Sequence, residues 1–179
     1  LFIGGGDDNV VSNNVFLDCW KSAHLDNRGM GWQKAATDDP RGELRTRFAA
    51  MPVASDLWRA RYPTLAGTLE DEPNVPKRNV FARNISAGGL WDDITKSIRA
   101  HQTVTNNLVF DDDRDWARLV RDADGRPARI EFKDPAAVAA IGFAEIPVSK
   151  IGLTADPRRA SWPVRHEVRP VKLPEKKTK

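Results

Sequence analysis

The stretch that decides the fold is Leu1 to Gly31, LFIGGGDDNVVSNNVFLDCWKSAHLDNRGMG. Short apolar pairs and triplets alternate there with Asn, Asp and Gly every few residues. Strands of two to four residues, interrupted that often, are too short for a sandwich or a doubly wound sheet. They suit a solenoid that adds one strand per corner and stacks coil on coil. The expected architecture is therefore all-β: a right-handed parallel β-helix.

The same signature returns further along the chain. Asn-Val-Val-Ser-Asn-Asn at 9–14 is echoed by Asn-Val-Phe-Ala-Arg-Asn at 79–84 and by Thr-Val-Thr-Asn-Asn at 103–107. Asn106 lies 22 residues after Asn84, a spacing that fits one coil. Asn suits such corners because it tolerates left-handed backbone and its amide can bond to its neighbours in adjacent coils. The step from Asn14 to Asn84 is 70 residues, too long for one coil, so the chain is expected to leave the coils between them.

Residues 28–75 are the candidate insertion. GELRTRFAAM at 42–51 and SDLWRARYPTLAGTL at 55–69 carry apolar residues three and four apart, with Ser55 placed as an N-cap. Two short helices are expected, the longer around Ser55 to Leu69 with Leu57, Leu65 and Leu69 turned inward, and a break at Pro63. The coils then span 1–134 and a capping segment spans 135–169. In the cap, Pro135 opens a short helix, Gly142 ends it, and Ile146, Ile151 and Leu153 cover the last coil. Residues 170–179, rich in Lys and Pro, read as a disordered basic tail.

Composition sets outer bounds. With 179 residues, 40% hydrophobic and 30% charged, the chain is long enough for one domain with a core. The formal charge of +3 is concentrated in the tail, and neither a basic stripe interleaved with aromatics nor a membrane-spanning apolar run is present, so neither nucleic acid nor membrane is an expected partner. The single Cys19 excludes an intrachain disulfide. Because the sequence opens on Leu1 in mid-strand, with nothing to cover a first coil, it reads as the C-terminal piece of a longer protein.

Three blocks carry a family resemblance: FIGGGDDNVVSNNVFLDCWKSAHLDNRGMGW, then LWRARYPTL with PNVPKRNVFARN, and finally AAIGFAEIPVSKIGLTADPRRASWPV. Together they resemble the C-terminal part of large secreted bacterial β-helix proteins, those of known activity being similar to glycoside hydrolase family 141. The resemblance implies a monomeric, secreted or periplasmic hydrolase of plant or algal polysaccharide, inactive as this piece alone. A non-enzymatic carbohydrate-binding or surface protein and a calcium-dependent polysaccharide lyase are the alternatives on the same scaffold.

Glycosidases need two carboxyl groups flanking the scissile bond. Asp26 is the first candidate, because alternation puts His24, Asp26 and Arg28 on one face and Leu25 on the other. Arg28 would keep Asp26 ionised. The resemblance supports Asp26 through an H-[IL]-D-x-R-G motif and implies a partner carboxylate upstream of Leu1; a purely structural Asp–Arg pair is the alternative reading. His24 and Arg28 are then substrate contacts. Asp8, in the tight corner after Gly4 to Gly6, is a candidate for the second carboxylate, or with Asp7 for a calcium site. Otherwise it is a turn residue, and no cofactor is needed. Trp32 and Trp58, in or beside the insertion, are the best sugar-stacking candidates among six tryptophans. Asp111 to Asp113 reads as a solvated turn, and Trp91-Asp92-Asp93 lies where it could line a cleft.

Overall fold

The computed structural model describes residues 1–153 and 156–158. The first three strands, β1 (Phe2–Ile3), β2 (Val10–Ser12) and β3 (Val15–Leu17), are separated by corners, and β4 (Lys21–Leu25) follows. Three short helices come next: α1 (Ala35–Asp38), α2 (Glu43–Ala49) and α3 (Asp56–Arg61). Then β5 (Val80–Ala82), β6 (Ile85–Ala87) and β7 (Leu90–Ile94) make a second pass, and β8 (Thr103–Thr105) and β9 (Leu108–Phe110) a third. The hairpin β10 (Ala117–Arg121) and β11 (Pro127–Phe132) and the helix α4 (Pro135–Ala140) complete the elements.

Three parallel three-stranded sheets result, ordered β1-β4-β7, β2-β5-β8 and β3-β6-β9. Val10–Ser12 pairs with Val80–Ala82 and that strand with Thr103–Thr105, the expected stacking. The all-β β-helix assignment is nevertheless corrected. Helix and strand each make up about 26%, and the strands lie in small sheets that form neither a solenoid nor a closed sheet, so the fold is mixed α/β. The reason lies in the chain between Leu25 and Val80, which forms no strand and puts its residues into helices and turns. The last sheet differs too: β10 and β11 pair antiparallel.

Amide rungs join the passes. Asn9 donates its Nδ2 to Asn79 Oδ1 at 2.8 Å, and Asn79 donates its own to Gln102 Oε1 at 2.9 Å. Five residues further on, Asn14 donates to Asn84 Oδ1 and Asn84 to Asn107 Oδ1, both at 2.9 Å. The ladder uses Asn107, one residue past the Asn106 that the repeat spacing selects. Asn106 instead occupies the left-handed corner with φ 50°, where its carbonyl accepts from the Arg83 N–H. Gly89 has no alternative at its corner: its φ is +81°, and a Cβ there would lie 1.8 Å from the Cys19 carbonyl oxygen.

Two apolar clusters sit inside these sheets. Val11, Ala23, Leu25, Phe81, Trp91, Ile94 and Ile98 form one, and Ile85, Ala87, Trp116, Ala117 and Val138 the other. The Asp134 carboxylate caps α4 by accepting from the Ala136 and Ala137 N–H groups, with Pro135 in the first turn and Gly142 left-handed beyond the end, as expected. Ile151 and Leu153, expected to cover the last coil, are exposed; Val148 is the buried residue there.

In the excursion, Ser55 does cap a helix, accepting from the Trp58 N–H. That helix stops at Arg61, short of Pro63, so α2 is the longer one. Leu57, expected inward, is 83% exposed, and only Leu65 and Leu69 are half-buried. The 170–179 tail, Trp162, His166 and the cap beyond 158 lie outside the described residues.

Candidate functional site

The sheet β1-β4-β7 carries the candidate site on its outer face. Ala23 and Leu25 are fully buried, which turns His24 outward between them. The register places Phe2 on one side of His24 and Asp93 on the other. Ring stacking and hydrogen bonding then fix the imidazole: the Phe2 ring centroid is 4.9 Å away, and Nδ1 lies 2.7 Å from Asp93 Oδ2. A carboxylate only accepts, so Nδ1 carries a hydrogen toward Asp93, and the ring's other nitrogen is Nε2. That Nε2 lies 4.0 Å from Asp26 Oδ2.

Asp26 is held in a two-pronged grip. Arg28 donates Nε to Oδ1 at 2.9 Å and Nη2 to Oδ2 at 2.6 Å, and its backbone N–H donates to Oδ1 at 3.2 Å. The hydrogen bond from Arg28 is the main reason that the Asp26 carboxyl is held below the usual carboxylate range. Arg28 is itself packed: its Cζ lies 4.7 Å from the Phe2 ring centroid and 5.6 Å from that of Trp32. Gly4 leaves the space, since a Cβ there would stand 2.8 Å from Cζ.

The structure brings His24, Asp26 and Arg28 together, although β4 ends at Leu25 and Arg28 reaches Asp26 from the turn that follows, and it adds a second carboxylate, from the Trp91-Asp92-Asp93 segment. Asp93 comes from the next pass and is bonded by Lys21 and His24. Those two bonds, Lys21 first, hold its carboxyl below the ordinary value. The 70-residue step from Asn14 to Asn84 was the available signal. Counted from His24 it ends within one residue of Asp93.

Aromatic side chains frame the group. Trp32 is 76% exposed beside Arg28, and Trp20, which sequence reading passed over, is 84% exposed with Lys21 Nζ 4.7 Å from its ring centroid. Trp58 is differently placed. It is half-buried against Tyr62, at 5.2 Å between ring centroids, and its Nε1 is buried without a partner among the described residues. No contact ties Trp58 to Asp26.

Asp8 belongs to another cluster. Arg78 donates Nε to Asp8 Oδ1 at 2.8 Å, Nη2 to Asp7 Oδ2 at 3.2 Å and Nη1 to Asp71 Oδ2 at 2.8 Å. A guanidinium therefore sits where calcium was a candidate, and among the described residues no group of three or more His, Cys, Asp or Glu could hold a metal ion. Asp7 also accepts from the Lys77 N–H at 3.0 Å, and burial pushes its carboxyl above the ordinary value. The cluster closes the base of the excursion, joining the corner after β1 to residues 71–78. Asp113, in the acidic run, is paired with Lys133.

Compared with family models, curated proteins and solved structures, the chain matches none. Among the described residues no helix is long and apolar enough to cross a membrane.

Proposed function

We propose that the outer face of β1-β4-β7 binds a carbohydrate, polysaccharide or oligosaccharide. The observation that carries this reading is the placement of His24 between the carboxylates of Asp26 and Asp93, with the exposed rings of Trp20 and Trp32 beside them. Exposed indoles offer apolar faces to pyranose rings, while carboxylates, imidazole and ammonium offer the acceptors and donors that hydroxyl groups need. Arg28 and Lys21 pre-set both carboxylates, so little ordering remains to be done on binding. A secreted or periplasmic location is part of this proposal, because polysaccharides are met outside the cytoplasm; cell fractionation tests it. Calorimetric titration with a panel of neutral and acidic oligosaccharides tests the binding itself. Heat of binding lost in Trp32→Ala supports it; a panel without any binder refutes it.

Glycoside hydrolysis is the second reading, favoured by two carboxylates flanking a single imidazole. It comes second because the acid of such a pair needs a raised pKa, and both carboxyls are lowered here. In this reading Asp26 is the ionised member, acting as nucleophile or base. Among the described residues no metal-binding group supports a lyase assignment.

A further inference from the structure

Trp32 belongs to a second feature besides the sheet face. With Gln33, Ala35, Asp39, Leu44 and Arg47 it lines a groove of about 680 Å³ between α1 and α2, a volume in the usual range of ligand sites. A smaller cavity of about 210 Å³ shares Gln33, Ala36 and Leu44 with this groove and is also lined by Arg28, the residue that grips Asp26. The sheet face and the groove therefore adjoin, once through Trp32 and once through Arg28.

The excursion builds this groove firmly. Gly42 lets α2 start against α1, since a Cβ there would stand 2.5 Å from the carbonyl oxygens of both Ala35 and Ala36. The Gly42 N–H donates to the Asp39 carbonyl at 2.7 Å, and Arg45 donates Nε to the Thr37 carbonyl. Thr37 is buried and bonded in turn to Asn74. A groove shaped in advance leaves little ordering to be done by a ligand.

Its lining sets the class of ligand. Ala35 and Leu44 offer aliphatic surface, Leu44 being 37% exposed. The exposed Gln33 side chain makes no hydrogen bond to a described residue, so its amide offers both a donor and an acceptor. Arg47 is neutralised by Glu43 at 2.5 Å, whereas Asp39 makes no ion pair among the described residues and accepts from the Arg41 N–H. One surplus negative charge at the rim disfavours anionic sugars and leaves neutral ones unopposed.

We propose that the α1-α2 groove is a further subsite for a neutral oligosaccharide chain, which runs from the β1-β4-β7 face past Trp32 onto Gln33 and Leu44. The proposal rests on the carbohydrate reading of that face and extends it. Trp32 serves the chain at the junction of the two surfaces, and the groove adds affinity that only a longer chain can collect.

Calorimetric titration tests this with neutral gluco-, xylo-, manno- and galacto-oligosaccharides from disaccharide to hexasaccharide, and with galacturonan oligomers of the same lengths. Two variants are titrated beside the unaltered chain. Leu44→Asp puts a charge on the apolar floor, and Gln33→Ala removes an exposed amide on which no described residue depends, so it reports even if the first variant fails to fold. The expected result is a neutral series whose affinity rises about tenfold or more from disaccharide to hexasaccharide, with that gain reduced in both variants and disaccharide affinity unchanged within about twofold. Galacturonan oligomers should show no such gain. Equal affinity at every length, or a gain that survives both variants, would overturn the groove while leaving the sheet-face reading in place; an equal gain for galacturonan would overturn the preference for neutral chains. Absence of binding by every series would overturn both readings together.

Discussion

Arg28 organises more of the site than either acid. It bonds Asp26 through both nitrogens of its fork, packs on Phe2, reaches Trp32 and fills the space that Gly4 leaves. Lys in its place could not make the fork, so Arg28→Lys is expected to weaken carbohydrate binding by roughly tenfold in calorimetry while leaving the fold unchanged by circular dichroism. Asp26→Asn separates the two functional readings. If the face only binds, affinity falls by roughly tenfold or less, since the amide keeps one acceptor; if it hydrolyses, turnover of an aryl glycoside falls by about a hundredfold or more with binding retained. The carboxyl shifts carry their own pH dependence. Asp26 and Asp93 titrate lower in the folded state, so the stability they contribute is complete above the unfolded carboxyl value of 3.8 and is lost as the pH falls through their folded values. Asp7 runs the opposite way. Its raised folded value makes ionisation costly at neutral pH, and Asn cannot ionise. Asp7→Asn is therefore expected to raise the thermal midpoint at pH 7, with the gain shrinking as the pH falls through the Asp7 range.

At the scale of elements, strands of two to five residues persist because their corners are bonded to the next pass. Asn84 shows how much rests on one side chain. It is fully buried, accepts from the Asn14 N–H and Nδ2, and donates to the Val11 carbonyl and to Asn107. Asn84→Ala orphans several of these groups at once and is expected to cost about 3 kcal/mol in urea unfolding, against a few tenths for Asn106→Gly at a left-handed corner. The helices of the excursion are held differently. α3 ends before Pro63 and exposes Leu57, so propensity and capping rather than a deep core determine its extent.

Across the whole molecule, the passes meet in two apolar clusters, and the excursion joins them through Arg28 at its start and the Arg78 cluster at its base. Replacing residues 42–69 by a short Gly/Ser linker should then leave the parallel sheets and cooperative unfolding intact, since neither clamp is removed; loss of the sheet signal in circular dichroism would show that the helices are needed for folding. Carbohydrate binding should persist, because Trp32 and Arg28 remain.

Local chemistry alone determined much of this protein. The alternation around Leu25 turned His24 outward, Ser55 and Asp134 announced helix starts, Gly142 a helix end, and the Asn-rich echoes identified β2, β5 and β8 as strands of one sheet. These features depend on a residue and its near neighbours, which a sequence displays. Only the tertiary structure decided what depends on register between distant passes: that Asp93 faces His24, that Asn107 rather than Asn106 completes the rung, that Arg78 occupies the Asp7 and Asp8 corner, and that helix matches strand in a mixed fold. A shift of one residue exchanges the faces of a strand, and the length of an excursion does not reveal where its chain re-enters the sheet. Those choices are made by packing of the apolar clusters and by pairing of buried amides, whose partners lie about seventy residues away in the chain.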